Sequence, residues 1–424
     1  MPPRSGANRK SEATAAVDAV CPFCSLLCDD LELRQTVDRS FRVTRNGCAR
    51  ARADFARAPI VSEPLVDGQS TSLEKAVAAA ARLLKRSEQP LIAGLATDVD
   101  GIRAAVDLAE RCGGILDHVH GDVMNATNMV LQSRGWYATT LSELRNRADF
   151  VLLAGVDLNE RYENLSRRCL RPAASLHTKN LRKRRIVYLG SAASAPRDDS
   201  TECISCRAES MAETLQALLA ILKGARLSAR SIGGVSRKTF SQLADALKAA
   251  AYAVIVFAPA SLGIHRESAI AAICDIADEL NREGRGAILS LGGDDGGQTA
   301  VSTCAWMTGY PLRVSFGKTL HYDPLANSTD KLMSSGAVDG LVWIDAFGRH
   351  ANPPAGNAAT VILSSVKTAA AQMAAVYIPV GTPGVDHFSR LLRTDSVVSL
   401  PLPGLRNEGL PDVAAVLTLI ASRL

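Results

Sequence analysis

Four cysteines fall within 28 residues near the start of the chain: Cys21, Cys24 and Cys28 in VCPFCSLLCDDL, then Cys48 after nineteen further residues. Three thiolates on one tight loop and a fourth returned by the next element make a four-sulfur cage. Such a cage suits a cubane [4Fe–4S] cluster, each iron taking one sulfur, or a tetrahedral zinc ion. Small buried residues in an apolar β unit are the plainer reading of the same letters. The three-residue gap between Cys24 and Cys28 departs from the two-residue knuckle of structural zinc and favours iron–sulfur. The other six cysteines, Cys112, Cys169, Cys203, Cys206, Cys274 and Cys304, give one close pair. Cys203 and Cys206 have no partner pair nearby and read as small residues in a strand.

Three further stretches carry groups capable of chemistry. The run HVHGDV brings His118 and His120 together, and two histidines near a strand end are more often held by hydrogen bonds than by a metal. In SLGGDDGGQTAV, Gly292, Gly293, Gly296 and Gly297 would let backbone N–H groups approach a phosphate or a flat ring, although Asp294 and Asp295 would repel an anion. A plain turn needing positive φ explains the same glycines. Between Arg161 and Arg185 lies a basic stretch with paired arginines at 167–168 and RKRR at 182–185, whose ordinary meaning is a solvated face. The tail GTPGVDHFSRLLRTD adds His387, Arg390 and Arg393, which can equally pack or pair locally.

The elements that must position these groups alternate. After a small β unit and a turn-rich join at 59–72, the helical SLEKAVAAAARLLKRS leads to the apolar LIAGLA, and GIRAAVDLAERCG leads to GILDH. Further strands are expected in DFVLLAGVD, RRIVYLG, YAVIVFAP, GAILSLG, DGLVWIDA, TVILSS and AAVYIPV. Helices in MAETLQALLAILKG, KTFSQLADALKAA and ESAIAAICDIADELN separate some of them. The pattern is α/β, with parallel sheets and helical crossovers.

Composition agrees and narrows the function. At 424 residues and 47% hydrophobic content the chain can fill two or three cores. Only 4% is aromatic, and the net charge of +5 is carried by scattered lysines and arginines, which argues against a nucleic-acid surface. No run approaches the ~20 apolar residues of a membrane span, and MPPRSGANRKSEATAA has no apolar segment after its charges. A cytoplasmic protein with residues 1–16 disordered is expected, its ten cysteines serving as thiols, ligands or core residues.

VCPFCSLLCDDL with Cys48 resembles the N-terminal iron–sulfur motif of the molybdopterin oxidoreductases, and more narrowly of the B subunits of formylmethanofuran dehydrogenases. GLATDVDGIRAAVDLAE, TTLSELRNRADFVLLAGVD, WMTGYPLRVSFG and AAVYIPVGTPGVDHFSRLLRTDSVVSLPL agree in order, so the resemblance runs from about Val20 to the end. It implies a four-cysteine domain at 17–59, a first α/β domain made of 60–124 and 292–424, and a second inserted at 125–291. The β-barrel that completes cofactor binding in other members is absent, and in formylmethanofuran dehydrogenases it resembles a separate subunit. Partner subunits are therefore implied.

The resemblance also exposes an absence. Active members ligate tungsten or molybdenum through a cysteine or selenocysteine at the start of a helix, commonly followed by His-Gly and a helix ending near a Gln. The matching HVHGDVMNATNMVLQSRG has no cysteine. Anchoring on His120-Gly121 puts Val119 at the ligand position, and counting back from Gln132 puts Val123 there. The glycine loop falls where the family contacts its pterin. Relatives without the ligand look like those of the bacterial formyltransferase/hydrolase complex, which acts on a methanofuran analogue in C1 (formyl/formate) metabolism. The implied role is a non-redox scaffold, with its own catalytic activity lost. An active tungsten or molybdenum-pterin dehydrogenase subunit and an unrelated zinc-stapled binding protein are the alternatives.

Overall fold

A computed structural model describes residues 16–177 and 181–424. The segment read as disordered lies outside the described residues, except for Ala16.

Two sheets dominate. In the first, five strands lie in the order Glu202–Ser205, Arg185–Gly190, Phe150–Ala154, Ala253–Phe257 and Gly286–Ser290. Every neighbouring pair is parallel. The second has nine strands, its parallel centre formed by Ile115–Leu116, Pro90–Ala96, Gly340–Asp345, Ala359–Ser364 and Val376–Pro379. Antiparallel edges flank it: Val314–Ser315 and His321–Tyr322 on one side, Leu65–Val66 and Gln69–Ser70 on the other. The last pair forms a short hairpin inside what reads in the sequence as a turn-rich join. A parallel strand covered by helices on both faces needs apolar residues throughout, and all seven residues of Pro90–Ala96 are buried. Within it Gly94 has φ +77, and a Cβ there would lie 2.5 Å from the Ile344 carbonyl oxygen. The register between Pro90–Ala96 and Gly340–Asp345 shifts at this point. Glycine thus permits the kink by which the strand turns towards its carboxyl end.

The cysteine unit is a three-stranded antiparallel sheet, Val17–Ala19, Leu31–Gln35 and Phe41–Arg45, followed by the helix Ala49–Phe55. Too small for an independent core, it shares one. Phe23, Leu31, Leu33 and Phe55 pack in the same buried cluster as Val151, Leu153, Tyr162 and Val254 of the five-stranded region. Phe23 and Phe55 meet edge to face, with ring centroids 4.9 Å apart. No helix among the described residues is long and apolar enough to cross a membrane.

Candidate functional site

Segments leaving the carboxyl ends of parallel strands in both sheets converge beneath the cysteine unit. Thr97 and Asp98 follow Pro90–Ala96, His118 to His120 follow Ile115–Leu116, the glycine loop follows Gly286–Ser290, and His350 follows Gly340–Asp345. Ligand sites of open α/β sheets form in this kind of place, because strand ends there release loops into a crevice.

Cys21, Cys24 and Cys28 are buried, and Cys48 is half-buried. The Cys21 N–H donates to the Cys28 carbonyl at 2.8 Å and Leu27 N–H to the Cys24 carbonyl at 3.1 Å, curling the loop around its three thiols. Cys48 caps the helix Ala49–Phe55, its Sγ accepting from Ala51 N–H at 3.4 Å. Asn164 donates to the Cys28 sulfur at 3.6 Å. Burial pushes the Cys21 and Cys24 thiols well up, the neighbouring sulfurs adding to the effect. Cys28 is raised to about 11 by burial, with Arg168 opposing. For Cys21 the other three cysteines all contribute, so the four thiols share one electrostatic neighbourhood. A cage of this kind is deprotonated by the cation it binds.

The acidic pair of the glycine loop is fully internal. Asp294 and Asp295 are each 2% exposed. Asp294 accepts from the Ser25 N–H at 3.0 Å, in the cysteine loop, and from Arg50 at 2.9 Å and Arg161 at 3.4 Å. Asp295 takes the other arm of Arg50 at 2.8 Å on Oδ1, while its Oδ2 faces His120 Nε2 at 2.9 Å and His350 Nε2 at 3.2 Å. Burial alone would raise both carboxyls, yet both lie below the usual range. Arg50 and Arg161 outweigh it at Asp294, and the two imidazoles and Arg50 do so at Asp295.

The glycines have internal reasons. Gly293 and Gly296 have φ of +74 and +76, and a Cβ on Gly296 would lie 2.3 Å from the Thr97 carbonyl oxygen. At Gly297 it would meet the Met124 sulfur at 2.8 Å. At Gly292 a Cβ would meet only Pro259, at 3.9 Å, and with Gly293 this residue lines a mostly apolar cavity of about 520 Å³ whose walls include Val123, Met124, Trp136 and Trp306. A second, polar cavity of about 900 Å³ lies against Asp294, Asp295, His120 and His350.

Val119 comes just before His120, the N-cap of the helix Gly121–Arg134. Its N–H donates to the Gly94 carbonyl at 2.9 Å, and its side chain packs on a buried cluster of the nine-stranded sheet. Val123 lies in the helix's first turn and faces the apolar cavity. His118 and His120 are held by hydrogen bonds: His118 Nδ1 accepts the His120 N–H at 3.0 Å, and its Nε2 lies 3.1 Å from the Asp295 carbonyl oxygen.

The basic stretch is in part the solvated face its composition suggests, Arg167 and Lys183 being exposed, but several of its arginines are paired or buried. Arg167 and Arg168 bridge to Asp30 at 2.7 and 2.5 Å, Arg168 reaches Asp29 at 2.6 Å, and Arg161 reaches Asp294. Arg184 is buried and donates to the carbonyls of Arg145, Ala148, Cys169 and Leu170. Its long, always-charged side chain fits there because four backbone acceptors would otherwise go without donors. In the tail, Arg393 pairs with Asp395 at 2.7 Å and Arg390 lies 3.6 Å from Asp100, while His387 Nδ1 meets the Phe388 carbonyl at 2.9 Å. Cys203 lies on the strand Glu202–Ser205, and buried Cys206 follows it, 3.2 Å from the Thr214 hydroxyl. Arg50 and His350 escape notice in the sequence, where their only signal is position: one follows a cluster cysteine and the other a strand's carboxyl end.

No protein-family model matches the chain. Among curated proteins, the B subunit of the tungsten-containing formylmethanofuran dehydrogenase 2 of Methanocaldococcus jannaschii is 26% identical over 407 residues, covering 90% of this chain and 91% of the relative. The B subunit of the formyltransferase/hydrolase complex Fhc of Methylorubrum extorquens is 30% identical over 325 residues, 75% of this chain and 85% of the relative. Of solved structures, that of FhcABCD from Methylorubrum extorquens in complex with methylofuran contains a chain matching with TM-score 0.69 and 28% identity, over 85% of this chain and 98% of that one. Acetylene hydratase from Pelobacter acetylenicus matches with TM-score 0.64 at 13% identity, over 96% of this chain and 68% of its own, a likeness of fold. With the parallel sheets, the cysteine unit and the helix entered at Val119 all in place, the chain belongs to the family of formylmethanofuran dehydrogenase B subunits and their formyltransferase/hydrolase counterparts.

Proposed function

We propose that this chain is a non-redox, cytoplasmic scaffold subunit of a formyltransferase/hydrolase-type complex of C1 metabolism, assembled with the complex's other subunits. The observation that carries the reading is Val119 at the entrance to the helix Gly121–Arg134. An isopropyl group stands there, and no cysteine occurs between Cys112 and Cys169. Aliphatic carbon cannot ligate tungsten or molybdenum, and the same holds at Val123.

The glycine loop does not fit an anionic pterin dinucleotide either. Arg50 and Arg161, which could face its phosphates, are engaged by the buried carboxylates of Asp294 and Asp295. An incoming phosphate would meet two carboxylates that already hold the nearby guanidiniums. By contrast, the residues of the cysteine unit fit an iron–sulfur cluster, with Cys21, Cys24, Cys28 and Cys48 as its ligands. Sulfurs around a zinc ion stand about 3.8 Å apart, from Zn–S bonds of ~2.3 Å. The three-residue gap between Cys24 and Cys28 departs from the two-residue knuckle of such an ion and favours the cubane. Such a cluster would supply folding free energy to a unit that lacks a core of its own.

The test is anaerobic pull-down of the tagged chain from its native cell, with metal analysis of the same sample. The expected result is stoichiometric co-purification of formyltransferase and hydrolase subunits, about four irons and four acid-labile sulfides per chain, and no tungsten or molybdenum. Tungsten or molybdenum near one per chain with formate-dependent dye reduction would establish an active dehydrogenase instead. Zinc without chromophore or partners would point to a stapled binding protein.

A further inference from the structure

One wall of the polar cavity carries three metal-binding atoms aimed at a common point, apart from the cysteine cage. We infer that His120, Asp295 and His350 form a binding site for one divalent first-row cation, open to the cavity on its remaining faces. The inference stands independently of the scaffold reading.

Among the described residues this is the only set of three His, Cys, Asp or Glu ligand atoms lying within 4.8 Å of one another. His120 Nε2 and His350 Nε2 stand 2.9 and 3.2 Å from the same oxygen, Asp295 Oδ2. Neighbouring ligands on an ion with bonds of ~2.0–2.2 Å lie about 2.9–3.5 Å apart, so a cation can enter with small side-chain adjustments. The two imidazole rings are nearly perpendicular, at 88°, with centroids 4.9 Å apart, and approach the carboxylate from different directions. Ligation uses the Nε2 lone pairs, so both rings take the Nδ1–H tautomer when the ion is bound.

Each donor is also fixed by bonds made through other atoms than the one that would ligate, so the ion has only to replace the hydrogen shared between Asp295 Oδ2 and each Nε2. Asp295 has φ +53, in the left-handed region that costs a non-glycine residue energy. Arg50 holds its Oδ1, and His118 holds its backbone oxygen. His350 is anchored through its N–H to Asp345 at 2.6 Å, and His120 through its N–H to His118. The three donors follow different strands, one from the five-stranded sheet and two from the nine-stranded one. The two imidazoles remain accessible, His120 at 27% and His350 at 32% exposure, so water or a substrate oxygen can complete the coordination from their side.

Nearby arginines do not forbid the ion. Arg349 pairs with Asp54 at 2.9 Å and lies 3.8 Å from Asp295 Oδ1, not the ligating oxygen, Arg57 pairs with Asp54 at 3.3 Å, and Arg161 with Asp294. The cavity lining holds five carboxylates against four guanidiniums. Two imidazoles and one carboxylate with open positions suit Fe(II), Co(II), Zn(II) or Mn(II) and lack the sulfur that a soft ion prefers.

The full chain, its cysteine cage left loaded, is titrated anaerobically with Co(II) and studied by metal counting and X-ray absorption. One cobalt per chain beyond the cage metal, with only nitrogen and oxygen in its first shell, is the expected result. His350→Asn should weaken that binding at least tenfold while leaving the cage metal unchanged. Asp295 is left intact, because its change would disturb Arg50, and a Cys21→Ser chain that still takes up the same cobalt gives a second check. Sulfur in the cobalt shell, equal binding by His350→Asn, or no cobalt beyond the cage metal would overturn the site.

Discussion

Replacing Arg50 by methionine is expected to lower stability by about 3–5 kcal/mol, the range found when one partner of a buried ion pair is removed. Arg50 is 12% exposed at its side chain and spans both members of the acidic pair, at 2.9 Å to Asp294 and 2.8 Å to Asp295. Without it Asp294 keeps the Ser25 N–H and Arg161 at 3.4 Å, and Asp295 keeps its two imidazoles and the distant Arg349 at 3.8 Å. The same guanidinium ties the helix behind Cys48 to the floor of the site, so its loss should also loosen the cysteine unit. Urea denaturation followed by circular dichroism gives the size of the effect, as a midpoint drop of roughly 1–3 M at ordinary urea sensitivities. Adding Asp294→Asn and Asp295→Asn to the Arg50→Met chain removes the stranded anions and should recover a large part of the loss. An Arg50→Met midpoint within experimental error of the parent would show that the network carries no stability.

Much of this arrangement is legible in the sequence, for reasons that differ from element to element. Runs such as Leu91–Ala96 announce a strand because a parallel strand covered on both faces has no polar side to alternate with. The cysteine spacing is local chemistry, and so is the valine at the helix entrance. The helices Gly121–Arg134 and Gly297–Thr308 are harder to see, since each opens on glycine and mixes polar with apolar residues around its whole circumference. The acidic pair is misread most instructively. Its charge is plain in the sequence, but its partners Arg50, His120 and His350 lie 244, 175 and 55 residues away. Pairing across such separations is fixed by sheet topology, which no window of sequence displays. Arg184 makes the same point, since within a run of arginines nothing marks the one whose guanidinium turns inward to four carbonyls.

Acidification from about pH 6.5 towards pH 4 should destabilise the protein through His118, at close to 1.4 kcal/mol for each pH unit. His118 is 1% exposed, and its two ring nitrogens are both used in the neutral form: Nδ1 accepts the His120 N–H, and Nε2 therefore carries the hydrogen donated to the Asp295 carbonyl. A second proton has no acceptor and would break the first of these bonds. Burial, helped by the charge of nearby His120, pushes the group down to about 3. The unfolded chain takes up that proton near pH 6.5 and the folded chain refuses it, so the stability it contributes is complete above ~6.5 and lost as pH falls towards ~3. Other groups act in different windows. Asp294 and Asp295 have lowered folded values, so their contribution is present above the ordinary carboxylate range and fades only below about pH 4. His350 is raised by its bond to Asp295, so its contribution is full below ~6.5 and disappears as pH rises through its folded value, on the alkaline side. Thermal midpoints between about pH 7 and pH 4.5 should thus fall steeply for the native chain and much less for His118→Gln, whose amide can still donate to the Asp295 carbonyl but takes up no proton. Parallel pH profiles for the two proteins would place the acid sensitivity elsewhere and clear His118 of it.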